Sequence, residues 1–146
     1  MGAPGRLVGH WRLVSFMEYR DDGEVFHVFG PDPKGTITYT DSGHMSVVFA
    51  GAHRKPFAGA WSAVSDRQKA ERYDSMVAYA GRYTDHGDRV VHHVEVCWIP
   101  NWEGRDLERF LTFLPDDQVR LRTPATRFGR VQPVQDVIVQ RVPPAR

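Results

Sequence analysis

The chain lacks the features of a disulfide-stapled, membrane-bound or nucleic-acid-binding protein. Cys97 is its single cysteine, so no intrachain disulfide can form and a secreted disulfide scaffold is excluded. The 19 basic and 18 acidic side chains nearly cancel, which leaves no charge excess for a nucleic acid or a membrane surface. No apolar run approaches the roughly 20 residues that span a bilayer, and residues 1–6 lack the apolar core of a signal peptide. We therefore expect a cytoplasmic protein without nucleic-acid or membrane partners.

Motifs for nucleotides and metal ions are also missing. No Gly-x-Gly-x-x-Gly or phosphate-binding loop occurs, so we expect no cofactor. The seven histidines include no His-x-His or His-Glu-x-x-His pattern. His92 and His93 are adjacent, and neighbours on a strand point to opposite faces, so they cannot share one ion. The sequence therefore predicts no metal site.

The apolar residues that are present follow the pattern of antiparallel strands. With 146 residues and 41% hydrophobic side chains, we expect one domain spanning residues 1–146. Alternating or β-branched runs are separated by turn residues and by a loop over Pro124–Pro133, a spacing typical of barrels or sandwiches. The predicted strands are Gly9–Arg20, Glu24–Phe29, Thr36–Thr40, His44–Phe49, Arg82–Asp85, Val90–Ile99, Leu107–Leu114, Gln118–Thr123 and Gln135–Val142.

One helix is predicted to interrupt the strands, near the open end of the molecule. Ser65 and Gln68 have the spacing of a capping box, so the helix should begin there. Gly81 is well placed to end it. An apolar stripe for packing on the sheet would be formed by Tyr73, Met76, Val77 and Ala80.

A Gly-x-Trp pair near the start and an arginine near the end predict how a barrel would be closed. Trp11 follows Gly9 by two residues on the first strand, and Arg141 ends the last strand-like run. A guanidinium stacked on an indole would seal one end and leave the other open as a cup. A tryptophan that merely contributes to one strand is the alternative interpretation.

Several segments of the chain together carry a recognisable pattern. They are Leu7–Phe16, Phe29–Gly35, Tyr39–Ser46, Tyr79–Tyr83 and His92–Val96 followed by Pro100-Asn101-Trp102. These segments resemble the bacterial and fungal lipocalin-like domain family. The similarity spans nearly the whole chain in the same order, although the family tends to carry an aromatic residue shortly before its terminal arginine, where this chain has Val137–Gln140. The resemblance implies a mainly all-β, antiparallel up-and-down barrel of about 8–10 strands, with the helix near its mouth.

The long strand carries the first candidates for catalysis. Simple patterning places the more apolar face, which includes His92, inside the barrel and His93 and Glu95 outside. The resemblance, in which both a histidine and a glutamate recur, instead favours a functional His93–Glu95 pair in the lumen. There His93 would act as general acid or base and Glu95 would orient it. The alternatives are a buried His–Glu network or a Glu95–Arg109 ion pair.

Two tyrosines complete the predicted catalytic set. Tyr39 and Tyr83 could donate hydrogen bonds to a carbonyl or an enolate, because a phenol places a donor on an apolar body. The alternative is that both are core residues whose hydroxyls reach the surface.

Further side chains are candidates for contact with a ligand. Ser15 and Met17 would follow Trp11 along one wall of the lumen. Aromatic residues in or beside loops would line the mouth, or else anchor those loops. The predicted ligand-binding residues are Ser15, Met17, Met45, Phe57, Trp61, Met76, Trp98, Trp102 and Arg109.

Three functional hypotheses follow. Because lipocalin-like barrels include cofactor-free polyketide cyclases, the resemblance favours a cofactor-independent cyclase or isomerase acting on a hydrophobic, polyketide-like molecule. The alternative is a non-catalytic intracellular carrier of such a molecule. A barrel filled by its own side chains, which binds a protein partner, is the third, and it predicts no sizeable pocket. The chain would act as a monomer or homodimer.

Overall fold

Long strands with one apolar face dominate the computed structural model, which describes residues 5–127 and 130–146. One α-helix, α1 (Asp66–Asp74), and two short 3₁₀ turns (Trp61–Ala63 and Pro100–Trp102) accompany them in these residues. The strands of the described residues are β1 (Gly9–Tyr19), β2 (Val25–His27), β3 (Lys34–Tyr39), β4 (His44–Ala50), β5 (Met76–Asp85), β6 (Arg89–Cys97), β7 (Asp106–Leu114), β8 (Gln118–Arg122), β9 (Thr126–Arg127), β10 (Arg130–Val131) and β11 (Val134–Val142).

Within the described residues, eight of these strands close into an antiparallel barrel. Their order is β1-β3-β4-β5-β6-β7-β8-β11, and β11 pairs with β1 to complete the circle. Strand β2 extends the sheet beside the far end of β1, while β9 and β10 form a separate hairpin. Closure leaves the barrel strands no unpaired edge at the β1–β11 junction. The predicted all-β antiparallel barrel is confirmed.

The predicted loop Pro124–Pro133 contains the β9–β10 hairpin instead of irregular chain. Residues 128–129 of that prediction lie outside the described part of the structure, as do residues 1–4.

The core fills the barrel with alternate residues of each strand. Trp11, Leu13, Ile37 and Val47 are almost fully buried, whereas their neighbours along the strands are more exposed. This is the two-residue period expected of strands with one face on a core.

A β-bulge in β1 changes which residues face the lumen. Leu13 pairs with Val139 but Ser15 pairs with Ile138, so Val14 is an extra residue and the alternation shifts. Beyond the bulge Phe16 points inward and is buried. Ser15 and Met17 therefore lie on the outer face, and the prediction that they line the lumen is wrong.

The predicted long helix is corrected by the structure. Its start is right, since Ser65 and Gln68 form both hydrogen bonds of a capping box. The helix ends at Asp74, however, and Met76 already belongs to β5. The edge of β4 offers seven consecutive pairing partners to β5, from His44 to Ala50, and this tertiary pairing overrides the helical spacing of the apolar stripe. Gly81 accordingly lies within a strand and ends no helix.

Candidate functional site

One end of the barrel is closed by a tryptophan and an arginine from its first and last strands. The guanidinium carbon of Arg141 lies 4.2 Å from the centroid of the Trp11 ring, as the sequence predicted. Arg141 Nη1 donates to the carbonyl of Val8 at 2.7 Å, and Nη2 donates to that of Arg6 at 2.6 Å. These bonds fix the cation over the ring, so the stack serves as a rigid cover.

Gly9 leaves the space that this stack needs. Its φ of +139° lies in a region that L-residues rarely adopt, and a Cβ there would lie 2.7 Å from Nη1 of Arg141. The indole nitrogen of Trp11 meanwhile donates to the carbonyl of Leu7 at 2.8 Å, so its polar atom is satisfied although the ring is buried. The Gly-x-Trp spacing thus has a direct steric cause.

Further along the strands the barrel encloses a cavity of about 250 Å³. This volume lies slightly below the roughly 300–1,000 Å³ that is usual for ligand pockets, so it suits a small ligand. Its polar lining consists of Asp74, Tyr79, His92, Arg109, Thr123 and Gln135. Its apolar lining consists of Phe16, Val28, Phe29, Ile37, Val47, Phe49, Met76, Val77, Trp98, Trp102, Leu121 and Val137.

A buried histidine beside this cavity is held between two tyrosines. His92 lies inward on β6, between Val90 and Val94, and only 1% of its surface is exposed. Its Nε2 lies 2.7 Å from the hydroxyl of Tyr39 on β3, and its Nδ1 lies 2.7 Å from the hydroxyl of Tyr79 on β5. We call these three residues the Tyr–His–Tyr chain. A neutral imidazole donates one of these bonds and accepts the other.

Burial keeps two members of this chain, His92 and Tyr39, uncharged. The pKa of His92 is held well below its usual value, first by loss of solvation and then by the positive charges of Arg109 and His93. Burial likewise raises the pKa of the Tyr39 phenol well above its usual value. At neutral pH His92 and Tyr39 therefore form a hydrogen bond between two neutral groups.

Arg109 brings a positive charge to the same cavity. It points inward on β7, two residues after the buried Leu107, and it lies opposite Val90 of β6. Its Nη1 donates to the carbonyl of Glu108 at 2.9 Å. The charge acts on both His92 and Tyr39, whose pKa values it lowers.

Comparison with known families decides what kind of barrel this is. The model of the lipocalin-like domain matches residues 8–142, which is nearly the whole chain. The chain belongs to the lipocalin-like domain family. A search of functionally curated proteins finds no match. A crystal structure of an uncharacterized protein from Bacteroides eggerthii is 14% identical, covers 93% of this chain and 99% of that chain, and has a TM-score of 0.47.

The lipocalin-like barrel is a small-molecule binding domain, and its described residues set further bounds on the site. In residues 5–127 and 130–146, no helix is long and apolar enough to cross a membrane. The same residues contain no group of three or more histidine, cysteine, aspartate or glutamate side chains placed to hold a metal ion.

The predicted catalytic pair, His93 and Glu95, lies on the outer face of the lipocalin-like barrel. His93 contacts Thr84 Oγ1 and Asp106 Oδ1, each at 2.8 Å, on the outer surface, and Glu95 is exposed and paired with Arg82 at 3.0 Å. The predicted lumen position of His93 and Glu95 is therefore wrong, and so is the alternative Glu95–Arg109 pair. Strict alternation on β6 sends His92 inward and its neighbour outward.

A second bulge, at Glu95, changes which residues of β6 face the lumen after that point. Ala80 pairs with Val96 but Gly81 pairs with Val94, which leaves Glu95 as the extra residue of β6. Val96 consequently faces solvent, although simple patterning places it on the inner face with His92.

The two predicted tyrosines support the site in different ways. Tyr39 belongs to the Tyr–His–Tyr chain. Tyr83 lies edge-on to it, with ring centroids 4.9 Å apart, and its hydroxyl donates to the carbonyl of Thr40 at 2.6 Å. Neither ring lines the cavity: Tyr39 contacts His92 directly, and Tyr83 packs against Tyr39.

The predicted ligand-binding residues divide into two groups. Met76, Trp98, Trp102 and Arg109 do line the cavity. Those that do not are Met45, which is buried in the core, Phe57, which packs under Arg72, and Trp61, which is 75% exposed, in addition to the outward-facing Ser15 and Met17.

Sequence reasoning missed the residues that contribute most to the cavity. Tyr79 receives no role from the sequence, because the apolar spacing predicts a helix over its segment. Strict alternation from Trp11 places Phe16 on the outer face, because nothing in the sequence marks the bulge at Val14. His92 alone had a usable signal, since it lies on the more apolar face of its strand.

Proposed function

We propose that this barrel binds a hydrophobic, polyketide-like small molecule and catalyses its isomerisation or cyclisation without a cofactor. The Tyr–His–Tyr chain beside the cavity carries this proposal. It places a proton-transfer group next to an apolar binding space, and its members come from three different strands. The predicted residues Tyr39, Tyr83 and Arg109 keep a role in the proposal, whereas His93 and Glu95 do not.

The walls of the cavity support binding of an apolar body. Phe16 packs edge-on against Phe29 and Phe49, with centroids 5.5 and 5.7 Å apart, and Trp98 packs edge-on against Trp102. Such fixed aromatic surfaces hold a flexible ligand in few conformations, which lowers the entropic part of a ring-closing barrier. The presence of a cavity also contradicts the hypothesis of a barrel filled by its own side chains.

The chemistry follows from the neutral state of His92. The Nδ1 atom of His92 can accept the proton of the Tyr79 hydroxyl while that hydroxyl takes one from the ligand, and the imidazolium so formed returns a proton through Tyr79 to another atom of the ligand. Tyr39, which does not line the cavity, accepts the hydrogen bond from the N–H at Nε2 and holds this tautomer. A proton leaves one atom of the ligand and returns to another, so mass and oxidation state do not change. Hydrogen bonds from Arg109 would stabilise the negative charge that develops on a conjugated carbonyl oxygen.

A carrier without catalysis is the second candidate, and one observation favours it. Both nitrogens of His92 are already occupied by tyrosine hydroxyls, an arrangement that satisfies a buried polar group without any ligand. In that case the cavity would hold and release its ligand unchanged.

The experiment compares a metabolite extract of the producing organism before and after incubation with the protein. Native mass spectrometry identifies the captured ligand, and chromatography shows whether it is released with unchanged mass but new retention. The His92→Gln variant should still capture the ligand but leave its retention unaltered. The matched His93→Gln variant, changed one position away on the outer surface, should convert it like the wild type.

Two results would overturn the catalytic proposal. Release of an unaltered ligand by the wild type would make the barrel a carrier. Undiminished conversion by His92→Gln would remove the Tyr–His–Tyr chain from the mechanism.

A further inference from the structure

We propose that the ligand of this barrel carries a carboxylate or a comparable planar oxyanion, and that Arg109 binds it. This inference rests on the proposed binding function and names the class of ligand. The observation that supports it is that the guanidinium of Arg109 faces the cavity with most of its N–H donors unused.

Arg109 lines the cavity with hydrogen-bond donors that the described residues leave unused. A guanidinium has five N–H donors, and the described residues provide one acceptor for it, the carbonyl of Glu108. No carboxylate lies within 4 Å of its guanidinium in residues 5–127 and 130–146. By contrast, Arg82 on the outer surface and Arg141 at the closed end each form a salt bridge with a carboxylate. A partly buried charge without a counterion is costly, and a bound anion would offset that cost.

The polar lining beside Arg109 suits a planar acid. Thr123 follows β8, next to β7, and is buried, and its Oγ1 already accepts a hydrogen bond from the backbone N–H of Gln135 at 2.8 Å. Its hydroxyl hydrogen has no acceptor among the described residues and can be donated to the ligand. Arg109 and Thr123 together thus offer donors, and guanidinium groups bind planar oxyanions through two parallel bonds.

The distribution of charge sets the direction of the ligand. Asp74, at the end of α1, is exposed and also lines the cavity, so an anion entering head-first passes the acid and comes to rest at the arginine. The apolar body would then lie against Phe16, Phe29 and Phe49, which line the same cavity. A ligand in the reverse orientation would place its charge beside Asp74.

Binding of an anion would also change the neighbouring histidine. Arg109 is one of the charges that hold the pKa of His92 down. Pairing of Arg109 with an acid removes part of this effect, so the ligand itself would make His92 a better proton acceptor.

The test uses two probes of the same shape that differ in charge, 2-naphthoate and 2-naphthamide. Binding of each is measured by titration calorimetry and by quenching of tryptophan fluorescence. The wild type should bind the acid about 10-fold to 100-fold more tightly than the amide, the factor that corresponds to charge-assisted hydrogen bonds. Arg109→Gln should abolish this difference while leaving the affinity for the amide nearly unchanged.

Two further variants act as controls. Arg109→Lys keeps the charge but loses the planar pair of donors, so it should retain part of the preference for the acid. Arg12→Gln removes an exposed arginine from the outer face of β1 and should retain all of it. Thermal unfolding of each variant shows whether it is folded.

The outcomes separate this inference from the function on which it rests. Equal binding of both probes by the wild type, or an undiminished preference in Arg109→Gln, overturns the assignment of an anionic ligand and leaves the binding function intact. Failure of the folded wild type to bind either probe overturns both.

Discussion

The Nε2 atom of His92 lies 2.7 Å from the hydroxyl of Tyr39, although 53 positions separate the two residues in the chain. The pair exists because β3 and β6 face each other across the closed barrel, with β4 and β5 between them in the sheet. The polar side of the cavity therefore depends on a contact across the interior of the barrel, between strands that are not neighbours in the sheet.

Removal of the Tyr39 hydroxyl should destabilise the protein. Tyr39→Phe leaves one nitrogen of His92 buried without a partner, so we expect the free energy of unfolding to fall by about 1–3 kcal/mol. Urea denaturation measures it. Tyr19→Phe makes the same chemical change on a ring that is 40% exposed and should alter stability by less than about 0.5 kcal/mol. Equal effects of the two variants would contradict the role assigned to Tyr39.

The depressed pKa of His92 predicts loss of stability in acid. The unfolded chain takes up a proton on this side chain near pH 6.5, whereas the folded protein resists protonation until a much lower pH. The unfolded state thus binds more protons below pH 6.5, and the free energy of unfolding falls as the pH falls through this range.

Urea denaturation from pH 7.5 to 5 measures this pH dependence. His92→Gln should remove a dependence equivalent to about one proton taken up on unfolding. His27→Gln, which changes an exposed histidine of β2, should leave the dependence unaltered. A wild type and a His92→Gln variant with parallel pH profiles would show that His92 is not buried in its neutral form.

The closed end of the barrel should depend on Trp11. Trp11→Ala removes a fully buried ring together with its contact to Arg141, and we expect a loss of about 3–5 kcal/mol. Trp61→Ala truncates a ring that is 75% exposed and should change the free energy of unfolding by less than about 0.5 kcal/mol. A loss below about 1 kcal/mol for Trp11→Ala would show that the stack contributes little.

A methyl group at Gly81 should disrupt the bulge at Glu95, which turns Val96 outward. An added Cβ would lie 2.0 Å from the carbonyl oxygen of His93, which belongs to the paired strand and cannot move away freely. We expect Gly81→Ala to cost about 1–3 kcal/mol in thermal or urea unfolding. Gly59→Ala is the matched control, because nothing lies within 4 Å of its added Cβ.

Adjacent valines on β4 provide a test of the cavity itself. Val47 is buried and lines it, while Val48 is 48% exposed on the outer face. Val47→Phe should fill part of the 250 Å³ and weaken binding of 2-naphthamide, whereas Val48→Phe should not. Calorimetric titration of both folded variants measures the effect, and equal affinities would place the ligand elsewhere.

How far the sequence predicts this molecule depends on the range of the interaction. Alternation and turn residues indicate the strands, and the capping box of Ser65 and Gln68 marks the start of α1, because these signals act between residues close in the chain. The length of that helix is not predictable in the same way. The apolar residues that follow Asp74 fit a helix or a strand, and only pairing with β4 selects the strand.

The candidate site shows the same division at the level of single side chains. Trp11, Gly9 and Arg141 could be assigned to the closed end from their types and positions. The ligand-binding candidates on β1 could not, because a one-residue bulge exchanges the two faces of a strand and leaves no mark in composition. The bulge at Val14 therefore moves Ser15 and Met17 outside and brings Phe16 in, and alternation on β6 selects His92 over His93.

By itself, the sequence determined antiparallel strands without an intrachain disulfide, because strand periodicity and a single cysteine are properties of the chain. The barrel with one sealed end followed from the Gly-x-Trp spacing together with the resemblance to the lipocalin-like family. Only the tertiary structure decided which polar side chains meet beside the cavity. Tyr39, Tyr79 and His92 meet only when β3, β5 and β6 curve around a common interior, and Arg109 joins them from β7. Closure of the sheet, through the pairing of β1 with β11, is the physical reason for that convergence.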